Sequence, residues 1–250
     1  MKITRFEHPS GNHYGILEGQ TLRKIDGDPF GTFQLGESLE LSSVKLLAPC
    51  LPSKIIGVGL NYKDHIQEMG RPTPEEPLLF LKATSSLNGP GSPILLPKMS
   101  RHVEYEGELA VIIGKKTHRA TEMHASDHVF GYACFNDVTA RDLQKKDGQF
   151  TRAKSFDTFS CLGPWIETEI DPSKLKIETR LNGELKQNSN TSNLLFTVPR
   201  LVSFISHVMT LFPGDVITTG TPSGVAPLKN GDLVEVTIEG IGTLSNPVTE

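Results

Sequence analysis

The stretch "HVEYEGELAVIIGK", residues 102–115, sets three glutamates on alternate positions at the start of an apolar run. Successive side chains of a β-strand point to opposite faces, so Glu104, Glu106 and Glu108 would share one face. A half-exposed strand with a solvated outer face is one interpretation. The continuation "LAVIIG" is apolar on both faces, which indicates a strand that enters the interior. Carboxylates at its entrance then need a partner that offsets their desolvation.

The composition indicates a β-rich protein with one large domain. The 250 residues can bury a substantial core, and 23 glycines and 17 prolines favour turns and short strands. The net charge of −4 is too mild for a polyanionic partner, and no Lys/Arg block favours nucleic-acid binding. No window reaches a membrane span, and "MKITRFEHPSG" lacks an apolar signal core. We therefore expect a cytoplasmic protein without nucleic-acid or membrane partners.

Composition shifts along the chain predict two units. Residues 1–48 alternate short apolar runs with Gly, Asp and Ser turns, which is typical of a small antiparallel β domain. The segment "APCLPSK" carries Pro49 and Pro52 and predicts a linker. Residues 53–250 then form the predicted catalytic domain.

Local patterns predict two hairpins and a few helices in the second unit. The Asn-Gly pairs at 182–183 and 230–231 stand between strand-like flanks and indicate tight hairpin turns. Asn61 is placed to cap a short helix that runs to Glu68. The segment "TVPRLVSFISHVMTLF" predicts an amphipathic helix. Its apolar face consists of Leu201, Ile205, Val208 and Leu211.

Oxygen ligands for a metal ion are the clearest chemical signal. Asp137, in "GYACFNDVTARDLQ", follows a second buried strand, and it is either a ligand or the N-cap of the next helix. Two glutamates and an aspartate offer oxygen alone, which favours a hard cation such as Mg²⁺ or Mn²⁺. His124 and His128 are four residues apart on a predicted helix, where they bind a metal together or face solvent. The three cysteines lack CxxC spacing, which argues against disulfides and structural zinc.

Three other segments carry groups suited to proton transfer or anion binding. In "NYKDHIQEMG", His65 and Glu68 lie on the same helix face, and a histidine oriented by a carboxylate is a candidate general base. Lys154 and Arg141 supply positive charge near the carboxylates, or they are surface residues. In "GDVITTGTPSG", the backbone N–H groups of a Gly-rich turn and the Thr221 hydroxyl could hold a carboxylate or an oxyanion.

Seven segments in order resemble the fumarylacetoacetate hydrolase family, over roughly residues 50 to 250. They are "GVGLNYKDHIQEMG", "FLKATSSLNGPGSPI", "VEYEGELAVIIGK", "FNDVTARDLQ", "KSFDTFSCLGPW", "TRLNGELKQ" and "GDVITTGTPSGV" with its continuation. The H-x-x-E pair is that of the small-domain members. The resemblance implies a β-rich α+β fold, a mixed β-sandwich roll with a few short helices and a small N-terminal β unit. It also implies a homodimer.

Carried over residue by residue, the resemblance implies a divalent-metal site. Its ligands are Glu106, Glu108 and Asp137, with Mg²⁺ the usual ion and Mn²⁺ or Ca²⁺ as alternatives. Glu104 is not among the matched ligands, and we expect it to lie beside the site. His65 and Glu68 match the dyad that activates a water or moves a substrate proton. The pocket residues that the resemblance implies are Lys154 as the active-site lysine and Arg141, Gln144 and Thr221 as substrate-binding residues.

The resemblance implies a small acidic 2-oxo acid as substrate. We expect first a hydrolase that cleaves a C–C bond of an acylpyruvate-type 2,4-dioxo acid through an enolate stabilised by the metal. The alternatives are an isomerase or decarboxylase of 2-oxo-dienoates, of the 2-hydroxyhepta-2,4-diene-1,7-dioate type, and an oxaloacetate decarboxylase. An alternative of another class is a non-catalytic 2-oxo-acid binding protein. The further carboxylate ligand of the larger family members has no clear match, which argues against fumarylacetoacetate itself.

Overall fold

The computed structural model describes residues 1–68, 70 and 72–250, and these residues are mostly in β-strands. The strands are β1 Lys2–His8, β2 Gly11–Glu18, β3 Thr21–Gly27, β4 Phe33–Glu40, β5 Lys45–Leu47, β6 Ile55–Gly59, β7 Leu78–Lys82, β8 Leu87–Asn88, β9 Ile94–Leu95, β10 Val103–Glu104, β11 Gly107–Ile113, β12 Val129–Asp137, β13 Thr139–Ala140, β14 Ser160–Glu167, β15 Lys176–Leu181, β16 Glu184–Asn190, β17 Val216–Thr218, β18 Leu233–Ile238 and β19 Gly242–Thr249. The α-helices are α1 Lys63–Glu68, α2 Arg141–Asp147, α3 Thr151–Lys154 and α4 Val198–Val208. None of the helices in the described residues is long and apolar enough to cross a membrane.

Two open sheets and a two-stranded ladder make up the β structure. The large sheet has the strand order β4-β3-β2-β1-β14-β12-β11-β17-β6-β7, with β5 paired to β1 and β8 to β14. It is mixed, because β17 runs parallel to β6 while most other neighbours are antiparallel. The second sheet has the order β16-β15-β18-β19-β9, and β10 pairs with β13 separately. This architecture confirms the predicted β-rich fold with a few short helices.

Strand β11 lies in the middle of the large sheet and is buried along its whole length. Leu109 and Val111 belong to the core cluster that includes residues of the second sheet, such as Val236. Ala110 and Ile112 belong to the cluster on the opposite face. Each large apolar side chain buried in this way contributes about 1.5–3 kcal/mol. The apolar run "LAVIIG" therefore forms the interior strand that the sequence predicts.

The N-terminal residues form antiparallel strands that join the large sheet. Strand β1 pairs with β2 on one side and with β14 on the other, in the register Lys2 to Glu167 and Ile3 to Ile166. Ile3 and Ile166 also share a core cluster with Phe135 of strand β12. The boundary between residues 1–48 and 53–250 thus crosses one continuous sheet, and the division into two domains stays a prediction.

Only one of the two Asn-Gly pairs makes a hairpin. Asn182 and Gly183 have φ values of 53° and 81° and connect β15 to β16. The pair at 230–231 lies in a turn closed by a hydrogen bond from Asp232 N–H to Lys229 O at 3.1 Å. Gly231 N–H donates to Val248 O at 2.9 Å, so this turn packs on the end of β19. The second hairpin prediction is wrong, because residues 219–232 of the described chain contain no strand to pair with β18.

Two details of the helix predictions are also wrong. The Asn61 side chain does not cap α1, because it donates to Thr219 O at 2.8 Å and accepts from Phe196 N–H at 2.8 Å. Helix α4 ends at Val208, which is 59% exposed. Leu211 lies beyond the helix and exchanges backbone hydrogen bonds with Thr117. Asn61 and Leu211 therefore bind partners that are distant in the sequence, and neither takes the helical role that its local sequence predicts.

Candidate active site

The three glutamates do not lie on one continuous strand, so that prediction is wrong. Strand β10 ends at Glu104 and β11 begins at Gly107. Between the strands, Glu106 N–H donates to the Asn136 side-chain oxygen at 2.9 Å, and Glu106 O accepts from Asp137 N–H at 2.8 Å. The end of strand β12 therefore fixes the backbone of Glu106.

This backbone arrangement brings three carboxylates together. Oxygen atoms of Glu106, Glu108 and Asp137 lie within 4.8 Å of one another, and all three side chains are buried. Asp137 is the last residue of β12, whereas Ala140 is the N-cap of helix α2, so the N-cap interpretation of Asp137 is wrong. The three residues predicted as metal ligands form a cluster of oxygen donors.

Two buried lysines pair with this carboxylate cluster. Lys154 Nζ donates to Glu106 Oε2 at 2.6 Å and to Asp137 Oδ2 at 2.7 Å. Lys82 Nζ donates to Asp137 Oδ1 and to Phe159 O, the latter at 2.9 Å. Burial lowers the pKa of Lys82 although Asp137 opposes this, whereas at Lys154 the carboxylates outweigh burial and raise the pKa. Lys82 was missed in the sequence, where its signal is a lysine that ends the apolar strand "LLFLK".

Arg141, the first residue of helix α2, connects three side chains. Its Nε donates to Glu104 Oε2 at 2.7 Å, and Nη1 donates to Gln144 Oε1 at 2.7 Å. Nη2 donates to Glu106 Oε1. Burial lowers the pKa of Arg141, but Glu106 and Glu104 outweigh burial and raise it. Arg141 and Gln144 thus stand at the carboxylate cluster, and the surface interpretation of Arg141 is wrong.

The two glutamates of the cluster differ in the charges around them. Burial raises the pKa of Glu106, but Lys154 and Arg141 outweigh this effect and lower it to about 2. At Glu108, burial raises the pKa well above its usual range, and Asp137 and Glu106 add to this. A hydrogen bond from Gly220 N–H to Glu108 Oε2 at 2.8 Å lowers the pKa of Glu108, but it offsets only part of this rise. A divalent cation fits here, because it would keep Glu108 ionised and prefers oxygen donors.

The predicted dyad forms on helix α1. His65 Nδ1 and Glu68 Oε2 are 3.0 Å apart, and the His65 side chain is buried. Glu68 Oε1 accepts a hydrogen bond from Gly224 N–H at 3.2 Å, which holds the carboxylate from its other side. Because Glu68 engages Nδ1, any proton transfer by His65 would use Nε2.

The Gly-rich turn after β17 holds a carboxylate, but one that belongs to the protein. Gly220 N–H binds Glu108, as described above, and Thr221 Oγ1 donates to Gly107 O at 3.0 Å. Thr221 Oγ1 also accepts from Gln187 Nε2 at 2.8 Å. The turn therefore orients strand β11 and its glutamate.

A cavity of about 380 Å³ contains most of the predicted residues. Its apolar wall was not foreseen, and it includes Phe80 and Phe150, whose ring centroids are 5.4 Å apart. The predicted residues that line it are His65, Glu106, Glu108, Asp137, Arg141, Gln144, Lys154 and Thr221. Glu68 is held against His65.

The histidine pair at 124 and 128 lies outside this site. Both residues belong to a short 3-10 helix, Glu122–His128, and the His124 side chain is 64% exposed beside Asp127. Within the described residues, the cluster of Glu106, Glu108 and Asp137 is the one group of three or more potential metal ligands. The three cysteines are buried thiols without disulfide bonds.

Comparison with known proteins assigns the family. Residues 54–249 match the sequence family described as "Fumarylacetoacetate (FAA) hydrolase C-terminal". Residues 1–49 match the family described as "Rv2993c-like, N-terminal". The chain belongs to the fumarylacetoacetate hydrolase family. This confirms the resemblance drawn from the seven sequence segments.

Several relatives of this fumarylacetoacetate hydrolase family chain carry functional names, and three of them illustrate the range. The oxaloacetate tautomerase YisK of Bacillus subtilis is 45% identical over 90% of this chain and 78% of its own length. The structure of a 2-hydroxyhepta-2,4-diene-1,7-dioate isomerase from Mycobacterium marinum is 46% identical, with a TM-score of 0.94 over 100% of this chain and 98% of that one. A maleylpyruvate hydrolase from Sphingobium sp. SYK-6, solved with a manganese(II) ion and pyruvate, is 31% identical with a TM-score of 0.83, over 100% of this chain and 99% of that one.

Proposed function

We propose that the protein is a metal-dependent enzyme that moves a proton next to the oxo group of a small 2-oxo acid. The observation that carries this proposal is the His65–Glu68 pair at a cavity that also contains the carboxylate cluster. The tautomerase and isomerase names of relatives at 45% and 46% identity support a proton shift over the hydrolysis that we expected first.

The charges around the cavity support an anionic substrate. Four buried carboxylates are paired with three cationic side chains, and the exposed Lys145 in the cavity lining adds a fourth positive charge, so these charges sum to zero. A bound dication would make the site net positive, and a dianionic 2-oxo acid would then be attracted to it. The carboxylates are Glu104, Glu106, Glu108 and Asp137, and the cations are Lys82, Lys154 and Arg141.

Glu106, Glu108 and Asp137 would hold the cation, with Mg²⁺ as the first choice and Mn²⁺ or Ca²⁺ as alternatives. When bound, such a cation supplies Lewis-acid stabilisation of negative charge on the substrate oxygens. Arg141 and Lys154 would bind the substrate carboxylates through charge-assisted hydrogen bonds. The manganese(II) ion and pyruvate in the structure of the maleylpyruvate hydrolase support a divalent cation and a 2-oxo acid as ligands of this protein.

His65 would carry the proton. In the conversion of an enol to its keto form, the hydroxyl proton leaves the oxygen and a proton is added at the adjacent carbon, so the reaction is balanced without a further reactant. His65 Nε2 would transfer this proton, because Glu68 engages Nδ1 and stabilises the imidazolium. The wall that includes Phe80 and Phe150 would limit access of water to the intermediate.

Hydrolytic cleavage of an acylpyruvate is the second candidate. The same dyad can activate a water, and the hydrolase name of the relative at 31% identity supports this chemistry. Decarboxylation of oxaloacetate also stays open, because it needs stabilisation of an enolate and no activated water.

One experiment separates these functions. The protein with Mg²⁺ is given enol oxaloacetate, a 2-oxo-dienoate and acetylpyruvate, and we follow loss of enol absorbance, release of carbon dioxide and formation of pyruvate. We expect accelerated ketonisation of oxaloacetate at a rate that exceeds cleavage of acetylpyruvate. Faster cleavage than ketonisation would favour the hydrolase. Oxalate binding without turnover of any compound would indicate a 2-oxo-acid binding protein.

A further inference from the structure

Glu104 is a buried carboxylate that belongs to neither the metal cluster nor the cavity lining. It is 8% exposed. Its Oε2 accepts from Arg141 Nε at 2.7 Å, and its Oε1 accepts from His102 Nε2 at 2.7 Å. Burying a carboxylate is strongly unfavourable unless its partners are well placed. The position of Glu104 therefore needs a reason.

The fold places Glu104 directly beside Arg141. Strands β10 and β13 form a ladder of two residue pairs, Val103 with Ala140 and Glu104 with Thr139. Immediately after this ladder, Arg141 N–H donates to the carbonyl oxygen of His102 at 2.7 Å. The backbone of Arg141 is thus anchored to the segment that carries Glu104.

The guanidinium of Arg141 is held at three nitrogens with different partners. Nη1 contacts Gln144 and Nη2 contacts Glu106, and both partners line the cavity. Nε contacts Glu104, which is not part of the cavity lining. Because the guanidinium is planar, a bond at Nε fixes the plane in which both Nη groups point.

We propose that Glu104 is a positioning residue that fixes the Arg141 guanidinium plane, so that its Nη groups face the bound 2-oxo acid. This inference rests on the proposed function. Glu104 acts on the substrate through Arg141 and touches neither substrate nor cation. Loss of a carboxylate that supports a metal ligand typically costs about ten- to hundred-fold in affinity or activity, and we expect a loss of the same order for a carboxylate that supports Arg141.

Oxalate, a planar dianion that resembles the enolate of a 2-oxo acid, is the probe. Calorimetric titration of oxalate at saturating Mg²⁺ compares the wild-type protein with Glu104→Ala and Glu104→Gln. We expect Glu104→Ala to bind oxalate about ten- to hundred-fold more weakly. We expect Glu104→Gln to recover part of the loss, because glutamine keeps an oxygen within reach of Arg141 Nε.

A double-mutant cycle distinguishes positioning from a general structural role. If Glu104 acts through Arg141, Glu104→Gln should weaken oxalate binding in the wild-type background and have no further effect in Arg141→Lys. Equal losses in both backgrounds would overturn the proposal. The cycle uses the glutamine variant alone, so it stands even if Glu104→Ala fails to fold.

The matched control is Glu178→Gln. Glu178 is a half-buried carboxylate, 2.7 Å from Lys176 Nζ and outside the cavity, and we expect this variant to bind oxalate like the wild type. Wild-type affinity in Glu104→Gln and Glu104→Ala would overturn the proposal, and so would a wild-type protein that does not bind oxalate. Oxalate binding with the expected cycle but without turnover would refute the proposed function and leave this inference standing.

Discussion

At the level of single residues, Glu106 and Glu108 are alike in burial and differ in their partners. Glu106 pairs with Lys154 and Arg141, whereas Glu108 receives one backbone N–H and has a pKa raised by burial. A cation bound between them would therefore be stabilised more by Glu108, whose charge is not already balanced by a lysine or an arginine. The amine of Lys154 and the cation would compete for Glu106 and Asp137.

The first prediction concerns the cation. Glu108→Gln and Asp137→Asn should each remove measurable Mg²⁺ binding in calorimetric titration, because each loses a charged oxygen ligand. Glu104→Gln is the control and should bind Mg²⁺ nearly as the wild type does, because Glu104 lies outside the cluster. Equal loss at Glu104 would show that the ligand assignment is wrong.

The second prediction concerns the general base. His65→Ala should lower turnover by about a hundred- to ten-thousand-fold, while its affinities for Mg²⁺ and oxalate stay nearly unchanged. Steady-state kinetics and calorimetry measure the two effects separately. His124→Ala, at an exposed histidine outside the cavity, should leave both unchanged. Turnover at the wild-type rate in His65→Ala would remove His65 from the mechanism.

At the level of elements, turn chemistry decides the hairpin of β15 and β16. Asn182 and Gly183 both have positive φ, which two-residue hairpin turns of this kind require. We predict that Gly183→Ala lowers the free energy of unfolding by about 1 kcal/mol, because alanine is strained at positive φ. Urea unfolding measures this change. The exposed neighbour Glu184→Ala should change stability by less than about 0.5 kcal/mol, and an equal loss there would contradict the turn argument.

Features that depend on residues close together in the sequence could be predicted from the sequence. The interior strand β11, the 182–183 hairpin and the contact between His65 and Glu68 all depend on short-range spacing. The predictions failed where distant partners decided the outcome. Asn61 binds Thr219 instead of capping its own helix, and Asn136 interrupts the strand at Glu106.

In the candidate site, too, some residues could be predicted from the sequence and others depend on contacts between distant segments. The carboxylates, the dyad and Lys154 could be placed through the family resemblance, and the structure brings all of them except Glu68, which contacts His65, into the lining of one cavity. Lys82 and the apolar wall could not be placed, because Phe80 and Phe150 come from separate segments that meet only in the folded chain. The sequence around Lys82 does not indicate its partner, because Asp137 is distant in the sequence and comes next to Lys82 only in the folded chain.

For the whole molecule, we propose a homodimer, as the family resemblance implies. Strand β7 is an edge of the large sheet, and Leu78 and Leu81 on it are 43% and 48% exposed. Sedimentation equilibrium should give twice the chain mass of 27.4 kDa. A concentration-independent mass of 27.4 kDa would contradict the proposal.

Lys82, Lys154 and Arg141 give the carboxylate cluster counter-ions that belong to the chain itself. We therefore expect the protein to fold without a metal ion, in contrast to small zinc domains that are unfolded without their ion. We predict that a chelator stops turnover yet leaves the circular dichroism spectrum unchanged, and that added Mg²⁺ restores the rate. Cooperative unfolding on chelation would contradict this. Such a protein would be able to release and rebind the proposed cation repeatedly, so the supply of cation in its surroundings would set how much of it is active.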